Sequence, residues 1–371
     1  MRFTHLQLQH FRNYDALDFT PHAGTTVLYG ANGSGKTNIL EAMHLLCLAR
    51  SHRTANDKEM LQTQANMAIA KGETLRNDGK HTIAVALQSE QKPQKRVLLF
   101  GKPVKRIGEL MGHATVVMFA PEDLRVVRDG PSARRRMVDM QLSKIRPSYF
   151  YQLKEYLQVL ESRNALLKKQ KLEGVADFPV QIATWDEQLV RTAIPIIQIR
   201  RWFLSTLSEL TNKQYMHIAS NPAEDFRIGY ASAFATGDDV QQRMLDALQR
   251  HRREEMQRMY TVVGPHRDDM SMTLQGNDIR AFGSQGQLRC AVLSLKLAEL
   301  QLIEEEMGEA PTLLLDDVFS ELDAMRRNRL LESLQGVQTF ITCTDKQDAG
   351  GAHADVFLQV TKDERGIARL S

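Results

Sequence analysis

Eight consecutive residues near the N-terminus have the composition and spacing of a phosphate-binding loop. They read Gly30-Ala31-Asn32-Gly33-Ser34-Gly35-Lys36-Thr37 and fit the pattern G-x-x-x-x-G-K-[ST] at every specified position. Glycines let backbone N–H groups turn toward phosphate oxygens, and the helix that follows adds its positive N-terminal dipole. Lys36 is expected to reach the β- and γ-phosphates, and Thr37 to offer its hydroxyl to Mg²⁺. The segment predicts a nucleotide site for ATP and Mg²⁺, with all eight residues assigned to cofactor binding and Lys36 also to catalysis.

A pair of acidic residues supplies what such a loop needs for its metal ion. An apolar run typical of a buried parallel strand, 313–315, is followed directly by Asp316 and Asp317. Because ligands bind at the carboxyl ends of strands in open α/β sheets, these carboxylates are expected at the nucleotide. Asp316 is the candidate Mg²⁺ ligand beside Thr37, and Asp317 is the candidate catalytic base or water-orienting group. An apolar run ending in two acids can also simply cap a strand, but the loop makes the binding role the better interpretation.

Two further segments could complete a nucleotide site. The segment Phe282-Gly283-Ser284-Gln285-Gly286-Gln287 precedes a helix predicted over 288–305, and Ser284 and Gly286 are candidates to grip a γ-phosphate, Ser284 in a catalytic role. The loop Ser320-Glu321-Leu322-Asp323 follows the acidic pair. Each segment has an alternative interpretation as a helix cap. Their order and spacing relative to the two nucleotide motifs favour the binding interpretation.

The elements that must position these residues read as two α/β parts around a helical part. Alternating or continuous apolar runs predict strands, which we place at 6–10, 16–20, 25–29, 81–87, 96–100, 114–119, 312–315, 338–343 and 356–360. Residues 38–48 are apolar on nearly every face and predict a helix buried against a sheet. Between about 133 and 258 we expect long amphipathic helices, one of them interrupted or kinked near Pro195. The expected domains are a head in two parts, 1–120 and 261–371, and an inserted helical arm, 121–260.

Composition and charge exclude some classes and leave others open. The chain has 371 residues, 42% apolar and 25% charged, with a net charge of +3, as in ordinary globular proteins. No apolar run approaches the length of a membrane span, and three widely spaced cysteines do not predict disulfides or a metal site, so we expect a cytoplasmic protein with no membrane partner. Arg50, Arg53 and the triplet Arg134-Arg135-Arg136 are candidates for DNA phosphate contacts. Plain surface and an internal ion-pair network are the alternatives for the triplet.

This set of motifs, in this order, resembles the ATPase heads of the ABC superfamily, in the branch that holds the SMC proteins and the RecF family. The likeness to the RecF family covers nearly the whole chain. It is carried by Phe11-Arg12-Asn13-Tyr14, by Pro121-Glu122-Asp123-Leu124 leading to Pro131 and Arg134-Arg135-Arg136-Met137-Val138-Asp139, and by Gly264-Pro265-His266-Arg267-Asp268-Asp269. The last segment has an alternative interpretation as a structural ion-pair cluster. The helical part is too short for the long coiled coils of SMC proteins.

The resemblance implies an α/β fold, the ABC-type P-loop ATPase head with mixed sheets around a buried helix, and an inserted helical domain. It implies a nucleoid-associated protein of recombinational repair, replication and the DNA-damage response. Such a protein binds gapped or duplex DNA, or a single-strand/duplex junction, and with RecO and RecR promotes RecA loading. It also implies an ATP-dependent homodimer and weak DNA-dependent ATPase activity. In that dimer Ser284 and Gly286 of one copy contact the ATP held by the other, and Arg12 is a further residue that binds the nucleotide.

Three departures from the family pattern carry expectations of their own. The segment 341–345 lacks the histidine with which ABC ATPases sense the γ-phosphate, which leaves the sensor open among Thr342, Thr344 and Asp345. Asp317 stands where many relatives have glutamate, and its shorter side chain predicts slow turnover. The residues 128–130 before Pro131 are not the usual small ones. The rival classes are a transporter ATPase, a bridging protein of the SMC type and a P-loop kinase, and all of them share the nucleotide site.

Overall fold

The computed structural model describes residues 1–90, 94–219, 221, 224–349 and 354–371. The chain forms two compact units. The first comprises Met1–Leu124, Gln214–Pro222 and Arg289–Ser371, and the second comprises Arg125–Lys213 and Ala223–Leu288. Both ends of the sequence therefore contribute to the first unit.

The strands and helices are numbered in chain order. The strands are β1 (Arg2–Phe11), β2 (Tyr14–Phe19), β3 (Thr25–Tyr29), β4 (Met67–Arg76), β5 (Gly79–Gln88), β6 (Lys95–Leu99), β7 (Lys102–Pro103), β8 (Val116–Phe119), β9 (Phe226–Ala231), β10 (Asp269–Leu274), β11 (Asn277–Asp278), β12 (Thr312–Asp316), β13 (Thr339–Cys343), β14 (Val356–Lys362) and β15 (Ala368–Leu370). The helices are α1 (Lys36–Leu48), α2 (Arg125–Arg128), α3 (Pro131–Ile145), α4 (Pro147–Leu172), α5 (Phe178–Ala219), α6 (Val240–Arg250), α7 (Arg252–Arg258), α8 (Ile279–Phe282), α9 (Gln285–Met307) and α10 (Ala324–Glu332).

The first unit contains two sheets. One is antiparallel, with strand order β2-β1-β4-β5-β6-β7. The other has the order β15-β14-β3-β13-β12-β8, in which β14, β3, β13, β12 and β8 pair in parallel and β15 is antiparallel to β14. Its strands come from both ends of the chain, as the sequence predicts. The carboxyl ends of β3, β12 and β13 therefore lie at the same edge, where the nucleotide motifs follow them.

Helix α1 lies between these two sheets and contacts strands of both. Residues from 39 to 47 along it are buried, which explains why the sequence is apolar on nearly every face. The side of β4 that faces inward carries small residues, among them Ala68, Ala70 and Gly72. A Cβ on Gly72 would lie 2.7 Å from Cδ1 of Leu46 on α1, so a larger residue there would displace the Leu46 side chain. The predicted buried helix is confirmed.

The second unit is built from α2, α3, α4, α6, α7, α8 and most of α5, with the small antiparallel sheet β11-β10-β9. The sequence predicts that this helix is interrupted or kinked near Pro195, and of these two outcomes the interruption is wrong, because α5 continues through Pro195. We did not predict β4, β9 or β10. Strand β4 gives a weak hydrophobic signal because its buried positions are small, and β9 lies inside the stretch that we expected to be helical.

Two sequence expectations about class can be compared with the structure. In the described ranges, no helix combines the length and the apolar character that crossing a bilayer requires. Cys47, Cys290 and Cys343 are all buried and free of disulfides. The described residues also contain no cluster of three or more His, Cys, Asp or Glu side chains suited to a metal ion.

Candidate nucleotide-binding site

The predicted phosphate-binding loop connects the end of β3 to the start of α1. Gly30 and Gly35 have φ values of 150° and 124°, a backbone conformation that other residues rarely adopt. A Cβ on Gly30 would lie 2.2 Å from the carbonyl oxygen of Val360 on β14, so no side chain fits there. The backbone conformation and the close packing therefore require glycine in this motif, in addition to the need for backbone N–H groups to approach phosphate.

Several backbone N–H groups of this loop donate to no protein acceptor within the described part of the chain. They belong to Asn32, Gly33, Gly35, Lys36 and Thr37. Unpaired amides at the start of a helix, together with the helix dipole, form an anion-binding site. The loop therefore fits the phosphates of a nucleotide on its donor chemistry as well as on its sequence.

Lys36 places its ammonium group against the same loop. Its Nζ donates to the carbonyl oxygens of Gly30 at 2.6 Å and Ala31 at 3.0 Å, and the residue is only 8% exposed. Burial lowers the pKa of Lys36, and the nearby carboxylate of Asp317 partly opposes this effect. A cation held at this point suits a ligand with several negative charges.

The predicted metal pair, Thr37 and Asp316, is in direct contact. Thr37 Oγ1 donates to Asp316 Oδ1 at 2.8 Å, although the two residues are 279 positions apart. Asp316 is paired in register with Thr342 of the neighbouring strand β13, whose Oγ1 donates to the same oxygen at 2.7 Å. A hydroxyl and a carboxylate are the hard oxygen ligands that Mg²⁺ prefers, with its other positions filled by phosphate and water. The donor set therefore fits Mg²⁺.

Asp317 follows in an unusual conformation. Its φ is 53°, in the left-handed region, and its N–H donates to Thr342 Oγ1 at 2.9 Å. Left-handed backbone at a residue other than glycine costs about 1 kcal/mol and is concentrated at functional sites. The Thr342 hydroxyl thus links both acids, and sequence reasoning missed this role because it considered Thr342 only as a candidate sensor.

Of the three residues left open as the γ-phosphate sensor, Thr344 contacts the phosphate-binding loop. Its carbonyl oxygen accepts from Gly30 N at 3.2 Å, and its Oγ1 lies 3.3 Å from Asn32 Oδ1. Thr342 is 1% exposed and occupied by the acidic pair, while Asp345 Oδ1 accepts from Gln347 N. The contacts favour Thr344.

The motif Phe11–Tyr14 lies against the phosphate-binding loop through Asn13, to which the sequence alone assigns no separate role. Asn13 Nδ2 donates to the carbonyl oxygen of Ser34 at 2.9 Å, and Asn13 Oδ1 accepts from Asn38 Nδ2 at 2.7 Å. The Asn13 carbonyl oxygen accepts from Ala368 N at 2.8 Å, which ties strand β15 to the same point. The motif can be recognised in the sequence, but the contacts of Asn13 with the loop and with β15 cannot.

Arg12, predicted to lie near the nucleotide, forms a two-pronged ion pair with α1. Its Nε and Nη2 donate to the two carboxylate oxygens of Glu41 at 2.8 and 2.6 Å. Burial opposes ionisation of Glu41, but hydrogen bonds from Arg12 and Ser51 outweigh it and lower the pKa of the carboxyl. Arg12 therefore contacts the helix that follows the loop, and its role toward nucleotide stays a prediction.

Ser284 lies in the second unit and caps helix α9. Ser284 N donates to Gln287 Oε1 at 2.9 Å, and Gln287 N donates to Ser284 Oγ at 3.3 Å, a reciprocal capping arrangement. In the first unit, Ser320 Oγ donates to the carbonyl oxygen of Asp317 at 2.8 Å, and Asp323 caps α10. The cap geometry that we left open is present in both segments. Ser284 is also exposed, which leaves its hydroxyl accessible.

The arginine triplet is largely engaged inside the second unit. Arg134 is 7% exposed and donates to both carboxylate oxygens of Asp269 at 2.7 Å. Arg135 donates to the backbone carbonyl oxygen of Asp268 at 2.7 Å, and His266 is hydrogen-bonded to Tyr156 at 2.6 Å. These contacts favour the internal ion-pair network for the triplet and the structural cluster for the segment from Gly264 to Asp269.

Comparison with known proteins agrees with this geometry. The family model described as the RecF/RecN/SMC N terminal domain matches residues 2–369. A protein of Symbiobacterium thermophilum called DNA replication and repair protein RecF is 42% identical over 357 residues, covering 94% of this chain and 92% of its own. A solved structure of the recombination mediator protein RecF-ATP in the RecFOR pathway has a TM-score of 0.90 at 32% identity, covering 100% of this chain and 97% of its own.

The head domain of an Smc protein from Pyrococcus furiosus has a TM-score of 0.60 at 15% identity, covering 100% of this chain and 95% of its own, a likeness of fold alone. Together, the fold, the phosphate-binding loop and the acidic pair define an ATPase head of the SMC class within the ABC superfamily. Within that class, the chain belongs to the RecF family. The predicted fold class and family are therefore confirmed.

Proposed function

We propose that this chain is an ATP-dependent DNA-binding protein of recombinational repair and replication-fork maintenance. The observation that carries the proposal is the direct contact between Thr37 of the phosphate-binding loop and Asp316 of β12, beside backbone amides that lack protein acceptors. Membership of the RecF family supports the DNA-repair role, because the Symbiobacterium relative is named for DNA replication and repair.

ATP with Mg²⁺, when bound, supplies a γ-phosphate whose presence or loss changes the charge and shape of the surface at the loop. Residues 30–37 hold the phosphates through backbone donors, and Lys36 adds its positive charge. Thr37 and Asp316 hold the metal ion. Asp317, whose backbone N–H donates to Thr342, would orient the attacking water, and its short side chain would make turnover slow.

The proposal includes a homodimer that forms when ATP is bound. Ser284 is exposed at the start of α9, where a hydroxyl, a nearby glycine and a helix dipole favour an anion. Ser284 and Gly286 of a second copy would contact the γ-phosphate held by the first. Hydrolysis then weakens the dimer because it removes the group that both copies contact.

DNA, RecR and RecO are the proposed partners. A relative's structure belongs to the RecFOR pathway, which supports action together with RecO and RecR in RecA loading. We propose duplex DNA or a single-strand/duplex junction as the target, DNA-stimulated weak ATPase activity, and a cytoplasmic, nucleoid-associated location. We also propose that the head (1–120 and 261–371) and the helical arm (121–260) act as separate functional domains.

The test is sedimentation with and without ATP, followed by the ATPase rate with and without duplex DNA. We expect ATP to double the mass and DNA to raise the rate. Ser284→Arg should keep nucleotide binding and lose the ATP-dependent dimer, because a bulky cation fills the place of the hydroxyl. Ser205→Arg, at an exposed position on α5, is the matched control and should dimerise normally.

Undiminished dimers of Ser284→Arg in ATP contradict the proposed interface. If ATP leaves the mass unchanged and DNA leaves the rate unchanged, the RecF-type function itself fails. Transfer of phosphate from ATP to an acceptor would instead support the kinase alternative.

A further inference from the structure

Of the arginines that the sequence suggested for DNA, Arg53 and Arg134 form ion pairs and Arg135 donates to a backbone carbonyl oxygen, but other cations of the first unit make no such contact. Within the described residues, a group of exposed basic side chains around the β6–β7 turn makes no side-chain hydrogen bond or ion pair: Lys80, Arg96, Lys102, Lys105 and Arg106. Residues 94–108 contain no acidic residue at all. We call this group, with Phe100, the hairpin patch.

The strand register places the cations along β5, β6 and the edge strand β7. Lys102 is paired with Leu99 across the tight turn, and Lys105 and Arg106 continue from that edge strand. Phe100 N donates to Thr82 O at 2.8 Å, which brings the turn next to Lys80, two residues before Thr82. Neighbouring strands are about 4.8 Å apart, so Lys80 and Lys102 lie at the turn with Phe100, while Arg96 lies further along β6, opposite Ala86.

Phe100 stands at the tip of this turn with half of its surface exposed. Its φ is 50° and that of Gly101 is 75°, so the backbone turns sharply and presents the ring outward. The ring is 50% exposed, and Ile107 nearby is 46% exposed. One side of the ring is supported by two imidazoles, with centroids 5.0 Å away for His81 and 5.7 Å away for His113.

An exposed, supported aromatic ring among unpaired cations is the chemistry of single-stranded nucleic-acid binding. Cations bind backbone phosphates whatever the sequence, and the ring stacks on a base that is not paired. Duplex DNA presents such a base only where its strands separate. Among the described residues, the acids near the patch include Asp78, which contacts His81 at 3.1 Å, Glu109, and Glu73, which is paired with Thr82 across β4 and β5. The five cations outnumber these acids, so the local charge is positive.

We propose that the hairpin patch binds the DNA strand that leaves a duplex at a single-strand/duplex junction, with Phe100 stacked on its first unpaired base. This rests on the proposed function, since it gives that function a DNA-contacting surface. The patch belongs to the first unit, which also carries the nucleotide site. An acidic peptide with an aromatic side chain is the competing occupant.

The experiment measures DNA binding by fluorescence anisotropy with ATPγS at several salt concentrations. The substrates are a junction, a single strand and a blunt duplex. The triple variant Lys102→Gln/Lys105→Gln/Arg106→Gln should lower the slope of log K against log salt by about 2, because each lost phosphate contact on a single strand contributes about 0.7. Lys168→Gln/Lys169→Gln/Lys171→Gln removes the same charge from exposed positions of α4 and should leave the slope unchanged.

Phe100→Ala should weaken binding to the junction and the single strand about tenfold and leave the blunt duplex unchanged, because only an unpaired base stacks. Phe100→Trp should restore affinity, and its indole fluorescence should be quenched by the junction. Thermal melting and nucleotide titration confirm that each variant folds.

If the triple variant and its control have the same slope of log K against log salt, the inference is overturned and the proposed function stays intact. If the triple variant loses binding to a poly-glutamate peptide but still binds DNA like the unmodified chain, the inference is also overturned, and the hairpin patch is a protein-binding surface. Failure of the unmodified chain to bind any of the DNA substrates with ATPγS overturns the proposed function as well.

Discussion

The nucleotide site and the core of the second unit both concentrate charge, but they use it in opposite ways. Arg163, in the second unit, is 0% exposed and donates to Asp186 at 2.9 Å, Glu255 at 2.6 Å and Thr261 at 2.7 Å. Each nitrogen of that guanidinium has a protein acceptor. Lys36, by contrast, donates only to carbonyl oxygens of its own loop, beside amides that have no protein acceptor at all.

The difference separates charges that stabilise the fold from charges that bind ligands. A buried ion whose partners are all present contributes order, and loss of one partner leaves the others unpaired in a poor solvent. Donors that stay without acceptors cost stability, and a structure keeps them where a ligand supplies the acceptors. Arg134 follows the first pattern, whereas the exposed cations of the hairpin patch are hydrated and carry their charge at the surface.

The largest effect on stability is expected for Arg163→Met, which removes the central cation of the fully paired network. The change should lower the free energy of unfolding by about 3–5 kcal/mol, because the buried Glu255 keeps its charge and loses its cation, and Asp186 is left with Arg252 alone. Chemical denaturation at neutral pH measures it. Arg191→Met, at an exposed position of the same unit, is the control and should change the free energy by less than about 0.5 kcal/mol.

Equal stability of the two arginine variants would contradict the distinction between the paired network and the surface. A further check is Arg163→Met combined with Glu255→Gln. This pair should recover part of the lost stability, since the remaining carboxylate charge is removed from the interior.

A smaller effect is expected from acid acting on His266 in the same unit. Burial lowers the pKa of His266 to about 4, below its ordinary value near 6.5, so the folded state favours the neutral ring. The unfolded chain therefore binds the proton first as the pH falls. Stability from this group is complete above about pH 6.5 and falls by about 3 kcal/mol as the pH drops to 4.

Denaturation at a series of pH values checks this, with His266→Gln as the reference. The variant should lose less stability than the unmodified chain between pH 6.5 and 4, because it has no ring to protonate. If the free energies of unfolding of the two proteins fell in parallel between pH 6.5 and 4, the pKa of His266 in the folded state would be near its ordinary value.

The sequence predicted the parts of the site whose chemistry is local. The spacing of the glycines, Lys36 and Thr37 describes one turn between a strand and a helix, and that turn is present. The apolar run before Asp316 describes a buried strand, and its bounds differ by one residue. Such features are set by neighbours in the chain, so a pattern of residues is enough to recognise them.

Features set by distant parts of the chain could not be predicted. Lys362 Nζ lies 3.8 Å from where a Cβ on Gly33 would be, and no local pattern places β14 beside the loop. The triplet at 134–136 looks like a DNA-binding surface in sequence because the acids that pair with it are more than a hundred residues away. The small inward residues of β4 hide a strand that exists only because α1 packs on it.

Lys36→Ala should have the smallest effect on the fold while abolishing binding. We expect at least a hundredfold loss of ATP affinity, about 2.7 kcal/mol, because the change removes the ammonium group held against the loop at Gly30 and Ala31. The free energy of unfolding should change by less than about 1 kcal/mol, since the ammonium has only carbonyl oxygens of its own loop to lose. Titration with a fluorescent ATP analogue and chemical denaturation measure the two quantities, and Lys58→Ala, at an exposed lysine of the same unit, should leave both unchanged. A large loss of stability in Lys36→Ala would place this lysine with Arg163 among the structural charges, and the distinction between paired and ligand-binding charges would then fail at the site where it matters most.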